Sequence, residues 1–172
     1  MTQIVLHDGS DLKIRQAVPG DTPLILSLIQ QLAAFEKLAH EVVADEPQLH
    51  STLFGERRYA EVLIAEREGK PAGFAIFFHN YSTFLGRPGL HLEDLFVIPE
   101  VRGLGIGQRL LSHLARLSEE RGCGRFEWCV LDWNSPAIEF YEKLGASRLK
   151  DWWIYRLAGE PMRRLARLFD LA

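Results

Sequence analysis

The order of the predicted elements indicates a mixed α/β fold, with a central, mostly antiparallel sheet flanked by helices. Two observations predict it. A run of three strand-like segments separated by short turns is typical of an antiparallel meander. After the meander, helices and strands alternate, which is typical of parallel crossovers. The chain has 172 residues, 47% of them apolar, which is enough for a single domain over residues 1–172 with its own core.

The chain begins with a strand and two helices. Alternating apolar residues predict a strand over Leu12–Val18. Asp21 before Thr22-Pro23 predicts a capped helix start. The apolar face of that helix recurs at near-helical spacing, as Leu24, Leu28, Leu32 and Phe35. A second helix is expected from Asp45 to about Gly55.

The meander and the helix–strand units follow. Turn signals at Gly69-Lys70 and Gly86–Gly89 separate three predicted strands, which are Tyr59–Arg67, Pro71–Tyr81 and Leu90–Ile98. The remaining predicted elements are a helix over Gly103–Arg121, a strand over Phe126–Leu131, a helix over Asn134–Leu144, a last strand over Trp152–Leu157 and an amphipathic tail over Pro161–Phe169.

Composition excludes several classes of protein. The formal net charge is −3 and no Lys/Arg block stands out, so no nucleic-acid partner is expected. No apolar stretch is long enough to cross a bilayer and Met1–Ser10 lacks the pattern of a signal peptide, so no membrane partner is expected. The two cysteines do not form a disulfide framework, which is typical of a cytoplasmic protein. The six histidines lack paired metal-ligand spacing, so no metal is expected.

The most informative segment runs from Leu95 to Gly107, where an apolar strand enters a glycine-rich turn that opens a helix. Glycines let a backbone approach a ligand closely, and the N–H groups and dipole at a helix start favour a phosphate. Arg102 adds a positive charge. No Gly-Lys-Ser/Thr follows, and the glycine spacing is not that of a dinucleotide loop. Pyrophosphate binding and a tight turn that needs glycine only for packing are both consistent with this segment.

Two motifs resemble the GNAT acetyltransferases. Arg102-x-x-Gly105-x-Gly107 after Leu92–Val97 resembles their acetyl-CoA pyrophosphate loop, and Asn134–Ala146 resembles their second motif. These segments, together with Phe35-Glu36, are more narrowly similar to the diamine (spermidine/spermine) and thialysine acetyltransferases. The resemblance implies the GNAT fold, acetyl-CoA as cosubstrate, a small-molecule amine as acceptor, a homodimer, and direct attack of the amine on the thioester.

The resemblance also implies the binding residues. Those for acetyl-CoA are Leu95, Phe96, Val97, Arg102, Gly103, Leu104, Gly105, Ile106, Gly107, Asn134, Ala137 and Tyr141. Strand amides near Phe96 and Val97 would donate to the thioester oxygen. Asn134 would hold the pantetheine arm, or it caps a helix. The residues that bind the amine would be Glu36, Glu93 and Asp94.

An alkyl amine with a pKa near ~10 is neutral in only ~1 molecule in 10³ at pH 7, so its proton must be removed. Glu93 and Asp94 are neighbours on a strand, so their side chains are expected on opposite faces, at least one in a packed or cleft environment that raises its pKa. The resemblance implies that Glu93 is the general base, acting through ordered water. Tyr141 matches the family's general acid, since a neutral phenol can protonate a thiolate; core packing beside Phe140 is the alternative.

The acceptor pocket departs from that of the polyamine enzymes at Lys37, Ala39, His40 and Ser82, where those enzymes often carry acidic or aromatic residues. Fewer acids attract a long polycation less, and Lys37 suits the carboxylate of a lysine-like amino acid such as thialysine. Two other functions stay open: acetylation of a protein N-terminus or lysine side chain, and acyl-CoA binding without catalysis. The presence of both Glu93 and Tyr141 favours an enzyme.

Overall fold

The structure is a computed structural model that describes residues 4–5 and 11–169, with side chains described from residue 11 onward. The chain divides after Cys129 into two compact units. The first unit contains the sheet and the helices that cover it. The second unit contains the helices of the last forty residues.

The described elements agree closely in order with the prediction. Those of the first unit are β1 (Ile4–Val5), β2 (Leu12–Gln16), α1 (Thr22–Phe35), α2 (Glu46–Phe54), β3 (Glu61–Arg67), β4 (Lys70–Ser82), β5 (Arg87–Val97), α3 (Ile106–Glu120) and β6 (Phe126–Trp128). Those of the second unit are α4 (Ser135–Lys143) and α5 (Gly159–Arg167). Short 3₁₀ turns lie at Pro19–Asp21, Ala39–Glu41 and Pro99–Val101.

Among the described residues, six strands form one sheet in the order β1-β2-β3-β4-β5-β6. Every pair is antiparallel except β5 with β6, which is parallel. A parallel pair needs a crossover connection, and α3 lies in that connection. The predicted mixed, mostly antiparallel sheet flanked by helices is therefore confirmed.

Helices cover both faces of the sheet. On one face, α1 and α2 pack through Ile25, Leu28, Leu32 and Leu53 against buried residues of β3, β4 and β5, which are Val62, Ile64, Phe74, Ile76 and Phe96. Strand residues alternate between faces, so the other buried strand residues, such as Leu63, Phe77 and Leu92, point to the opposite face. On that side α3 packs against the same three strands.

Backbone conformation moves two predicted boundaries. The helix expected from Gly103 begins at Ile106, because Gly103 and Gly105 have left-handed φ angles of 79° and 77°. The turn expected over Gly86–Gly89 ends at Gly86, because Arg87–Gly89 pairs with the end of β4 and extends β5. At the start of α1, the Asp21 carboxylate does not cap the helix; it accepts hydrogen bonds from Arg15 and from the Val18 N–H.

The last predicted strand is wrong. Residues 152–158 have no regular secondary structure, and their large side chains are exposed, Trp153 at 84% and Tyr155 at 92%. An isolated strand leaves its backbone groups unpaired, and the described part of the second unit contains no strand to pair with this one. Likewise β6 ends at Trp128, before the predicted Leu131. The predicted tail helix is present as α5.

Along the described part of the chain, no helix has the length and apolar composition needed to cross a membrane.

Candidate active site

A β-bulge in β5 determines where the acidic side chains point. Phe77 of β4 pairs with Leu92, and Ile76 pairs with Asp94, so Glu93 has no partner residue on β4. One extra residue of this kind is a β-bulge, which bends a strand and shifts its alternation. Leu92 therefore faces α3, whereas Asp94 shares the α1 side of the sheet with Phe96.

The expectation that Glu93 and Asp94 point to opposite faces is wrong, and the bulge is the reason. His91 pairs with Phe78 of β4, and the two rings pack with centroids 4.9 Å apart. This pairing places His91 on the α1 side. The Glu93 carboxylate Oε2 lies 3.8 Å from His91 Nε2. Both neighbouring carboxyls therefore lie near the α1 side of the sheet.

A third carboxyl, that of Glu36, belongs to the same group. Burial, together with the charges of Glu93 and Glu36, raises the pKa of Asp94 to about 6. Burial also raises the pKa of Glu36, which follows the last residue of α1 and so lies at the negative end of the helix dipole. Carboxylates held together in this way favour a bound cation, because the cation relieves their mutual repulsion.

The edge of β5 is open beyond Leu92. β6 pairs with β5 only from Leu90 to Leu92, and no described strand covers that edge from Glu93 to Val97. The open edge begins at the bulge.

The hydrogen-bond pattern shows which amides face this open edge. The N–H of Ile98 donates to the Ala72 carbonyl at 3.0 Å, so the backbone groups of Ile98 face β4. Antiparallel ladders alternate; the N–H groups of Val97 and Leu95 therefore face away from β4, whereas that of Phe96 faces towards it. Of the two residues, Phe96 and Val97, whose amides are predicted to donate to the thioester oxygen, Val97 presents its N–H at the open edge and Phe96 does not. The Leu95 N–H is also available to a ligand there.

The glycine-rich loop follows β5 in the chain. A Cβ atom added at Gly103 or Gly105 would meet no atom within 4 Å, so close packing does not explain these glycines. Their positive φ angles do, because a left-handed conformation costs an L residue about 1–2 kcal/mol. The first helical bond of α3 runs from the Arg109 N–H to the Gly105 carbonyl at 3.0 Å. The earlier N–H groups have no helical partner, which is the arrangement that favours a phosphate.

Arg102, at the start of this loop, is directed back onto the sheet. Its Nε donates to the Val97 carbonyl at 2.9 Å. Its guanidinium carbon lies 4.6 Å from the ring centroid of Phe35 and 5.5 Å from that of Phe96. The side chain therefore contacts both the end of α1 and the end of β5.

The second unit carries the remaining predicted site residues on α4. Asn134 is the N-cap of this helix, and its Oδ1 accepts from the Ala137 N–H at 3.4 Å. The capping alternative is thus present, and it leaves the Nδ2 group of Asn134 as a separate donor. Tyr141 is half-buried, with its ring centroid 5.4 Å from that of Phe140.

Within the described residues, no group of three His, Cys, Asp or Glu side chains is placed to hold a metal ion.

Comparison with known proteins identifies the family. A family model described as "Acetyltransferase (GNAT) family" matches residues 28–146, a range that begins within α1 and includes the bulged β5, the glycine-rich loop and α4. The chain belongs to the GNAT family of acetyltransferases. It is an acetyl-CoA-dependent acetyltransferase.

Individual relatives show which kinds of GNAT enzyme this chain is similar to. The thialysine N-epsilon-acetyltransferase of Sus scrofa is 39% identical over 164 residues, which cover 89% of this chain and 96% of that protein. The L-ornithine N5-acetyltransferase NATA1 of Arabidopsis thaliana is 34% identical over 201 residues, with 91% and 88% covered. The solved structure of integron cassette protein VCH_CASS6, from the mobile metagenome of V. cholerae, superposes with a TM-score of 0.78 at 26% identity and covers 92% of this chain and 99% of that one. The resemblance to these GNAT enzymes inferred from the sequence is confirmed.

Sequence reasoning missed the bulge, the contact between His91 and Glu93, and the stacking of Arg102. The bulge left one signal. In a regular strand Asp94 would share a face with Leu92 and Phe96, and a carboxyl on such an apolar face costs free energy unless the strand is irregular. The contact between His91 and Glu93 depends on the bulge itself, and the stacking of Arg102 joins residues far apart in sequence, so neither left a signal of its own.

Proposed function

We propose that this GNAT enzyme transfers the acetyl group of acetyl-CoA to the primary amine of a small molecule, with thialysine, ornithine and other lysine-like amino acids, or polyamines, as the acceptor class. The observation that carries this proposal is the group of three carboxyls, Glu36, Glu93 and Asp94, beside the open edge of β5. An alkyl ammonium ion is the natural cation for such a group. The named activities of the relatives in Sus scrofa and Arabidopsis thaliana support the same class.

Acetyl-CoA binding is assigned to two segments. The loop from Arg102 through Gly103, Leu104, Gly105 and Ile106 to Gly107 holds the pyrophosphate, supported by the N–H groups at the start of α3. The outward amides of Leu95 and Val97, with Phe96 between them, line the acyl end. The resemblance also assigns Asn134, Ala137 and Tyr141 to the binding of acetyl-CoA.

The proposed chemistry is direct transfer. Glu93 accepts the proton of the bound ammonium ion through water, and Asp94 and Glu36 hold the cation. The freed amine attacks the thioester carbonyl, whose oxygen accepts from the Val97 N–H. As the carbon–sulfur bond breaks, Tyr141 gives its phenol proton to the departing thiolate, and the proton that the new amide nitrogen loses passes through water and restores the phenol. No residue forms a covalent bond to the acetyl group, and no metal takes part.

Lys37 supports an amino-acid acceptor over a long polyamine. It follows Glu36 directly, at the C-terminal cap of α1, where its φ of 63° goes with the hydrogen bond from the Leu38 N–H to the Ala33 carbonyl. The cap therefore holds Lys37 beside one of the three acids. We assign the Lys37 ammonium to the acceptor's carboxylate, opposite the acids that bind its amine.

We also propose that the chain acts as one domain over residues 1–172, in the cytoplasm and as a homodimer. The exposed aromatic side chains of Trp152–Tyr155 support the dimer, because patches of this kind mark protein interfaces. Sedimentation equilibrium measures the dimer directly; a mass of one chain at micromolar concentration would contradict it.

The test of the proposed function is free thiol release from acetyl-CoA against thialysine, ornithine, lysine, spermidine, spermine, putrescine and a lysine-containing peptide. We expect the highest kcat/KM on thialysine or ornithine. Lys37→Gln should raise the KM for these amino acids and leave the KM for putrescine unchanged, because putrescine has no carboxylate.

Each other outcome changes a defined part of the proposal. A clear preference for spermidine would contradict the role of Lys37 while keeping the small-amine class. A preference for the peptide would favour protein acetylation. Tight CoA binding without turnover on any acceptor would favour acyl-CoA binding without catalysis.

A further inference from the structure

The glycine-rich loop contains one side chain whose contacts differ from those expected of a phosphate ligand. The resemblance places Arg102 among the residues that bind acetyl-CoA. In the structure its guanidinium instead has three contacts within the first unit: the Val97 carbonyl, the Phe35 ring and the Phe96 ring.

The hydrogen bond to Val97 acts on the open edge of β5. Because the N–H of Ile98 is bonded to Ala72 on β4, the backbone groups of Val97 point outward. The N–H of Val97 is the donor assigned to the thioester oxygen, and Arg102 holds the carbonyl of the same residue from that edge. Fixing this carbonyl restrains the ψ angle of Val97 and the position of the residue that presents the donor.

The contact with the Phe35 ring involves the end of α1, next to the proposed amine-binding residue Glu36. Phe35 is the last residue of α1, and Glu36, one of the three acids, follows it. Phe35 is 42% exposed, so the core holds it only in part. A guanidinium stacked 4.6 Å from its ring centroid adds a cation–π contact at this helix end.

We propose that Arg102 is a positioning residue that fixes the thioester-binding edge of β5 and the amine-binding end of α1 relative to each other, while backbone N–H groups of the loop bind the pyrophosphate. This inference rests on the proposed function. Its consequence is that Arg102 serves both substrates, whereas a phosphate ligand would serve acetyl-CoA alone.

A lysine substitution at Arg102 distinguishes the positioning role from the phosphate-binding role. A lysine ammonium binds phosphate well as a point charge. It cannot reproduce a planar guanidinium that stacks on a ring while its Nε donates to a carbonyl. Arg102→Lys should therefore be as damaging as Arg102→Gln if the residue positions the site, and nearly harmless if it binds phosphate.

The experiment compares the wild type, Arg102→Lys and Arg102→Gln on two acetyl donors, acetyl-CoA and S-acetylpantetheine, which lacks the pyrophosphate. Arg116→Gln is the matched control, since it removes one positive charge from an exposed position on α3, where Arg116 Nε lies 2.7 Å from Glu120 Oε1. Phe35→Leu, alone and combined with Arg102→Gln, tests the ring contact. Thermal melting of each variant measures folding, and calorimetry measures the affinities of CoA and pantetheine.

We expect both Arg102 variants to lower kcat/KM about 10-fold with either donor and to raise the amine KM several-fold. CoA affinity should fall no more than pantetheine affinity, and the effects of Phe35→Leu and Arg102→Gln on the amine KM should be less than additive. Activity retained by Arg102→Lys, with a loss in Arg102→Gln confined to acetyl-CoA, would overturn the inference. Absence of amine-dependent turnover in the wild type would instead contradict the proposed function.

Discussion

Strand β5 and the segment Trp152–Leu157 both have the composition of a strand, yet only β5 forms one. β5 pairs with β4 along its length and with β6 over part of it, and its Leu90 and Leu92 side chains are buried. The later segment, in the second unit, has no strand partner among the described residues, and Trp153 is 84% exposed. Strand-forming residues are therefore not sufficient: a partner strand supplies the hydrogen bonds and the burial.

The comparison also shows which part of β5 contains the candidate site residues. Within β5 the regular half contributes buried side chains, and the bulged half presents carboxyls and outward amides. The candidate site residues of β5 follow the point where the well-packed strand becomes irregular. The packed half, before the bulge, therefore fixes the position of the irregular half. Four experiments test this contrast, from the largest expected effect to the smallest.

Phe74→Ala against Trp153→Ala compares the two regions by stability. Phe74 is fully buried and packs edge-on with Phe96 at 6.5 Å between ring centroids. Its truncation should lower the free energy of unfolding by about 3–5 kcal/mol at every protein concentration. Trp153→Ala should change the stability of a single chain by less than about 0.5 kcal/mol, and should lower stability further only at concentrations where the proposed dimer forms. Urea denaturation at several protein concentrations checks both. A Trp153→Ala variant without any concentration-dependent loss would remove Trp153 from the proposed dimer interface.

Asp94→Asn tests how much the ionised Asp94 carboxylate at the bulge lowers the free energy of unfolding. The pKa of Asp94 is raised from 3.8 to about 6, so the folded protein holds this proton more tightly than the unfolded chain. The contribution of Asp94 to stability therefore falls as pH rises from about 4 to about 6 and stays low above that range. At pH 8 the variant should be more stable than the wild type by up to about 3 kcal/mol.

At pH 4 this stability difference should be small, because Asp94 is then protonated in the folded state and already close to half protonated in the unfolded chain. The variant should also raise the amine KM, and the wild-type amine KM should rise as pH falls below about 6. Urea denaturation at both pH values, with amine KM measured across the pH range, checks these outcomes. Equal stability of the two proteins at pH 8 would contradict a raised pKa.

Tyr141→Phe tests the proposed acid in the second unit. Removing one hydroxyl should lower kcat about 10²-fold, about 2.7 kcal/mol of barrier, with little change in thermal stability. Tyr155→Phe is the matched control, since that ring is 92% exposed. Thiol release assays on both variants measure this effect, and a Tyr141→Phe enzyme with unchanged kcat would contradict the role of Tyr141 as the acid.

Gly105→Ala tests the loop that follows β5, with Gly159→Ala as its control in the second unit. Both glycines have positive φ, 77° and 59°, and space for a methyl group. Each substitution should cost about 1–2 kcal/mol of local strain. Only Gly105→Ala should weaken CoA binding, which calorimetry measures. Equal CoA affinity in both variants would remove the loop from the proposed site.

Much of this architecture is predictable because local pattern and burial agree. The helices at Thr22–Phe35 and Ile106–Glu120 follow from apolar periodicity, and the strands of the meander follow from turn signals on both sides. The loop and the acids follow from motif resemblance. Three features could not be predicted. The bulge depends on pairing with β4, the stacking of Arg102 depends on Phe35 more than sixty residues earlier, and the fate of Trp152–Leu157 depends on a partner strand.

The central claim is that the bulge brings Asp94, Glu93 and Glu36 together to bind an amine. The most direct test is ¹³C NMR titration of the Asp94 side-chain carboxyl in the wild type, in Glu36→Gln, and in the wild type with a saturating amine acceptor. The account predicts that the pKa of Asp94 is near 6 in the wild type and lower in Glu36→Gln. It also predicts a lower pKa with the cation bound. A pKa near 3.8 that neither change alters would place Asp94 in solvent and contradict the account.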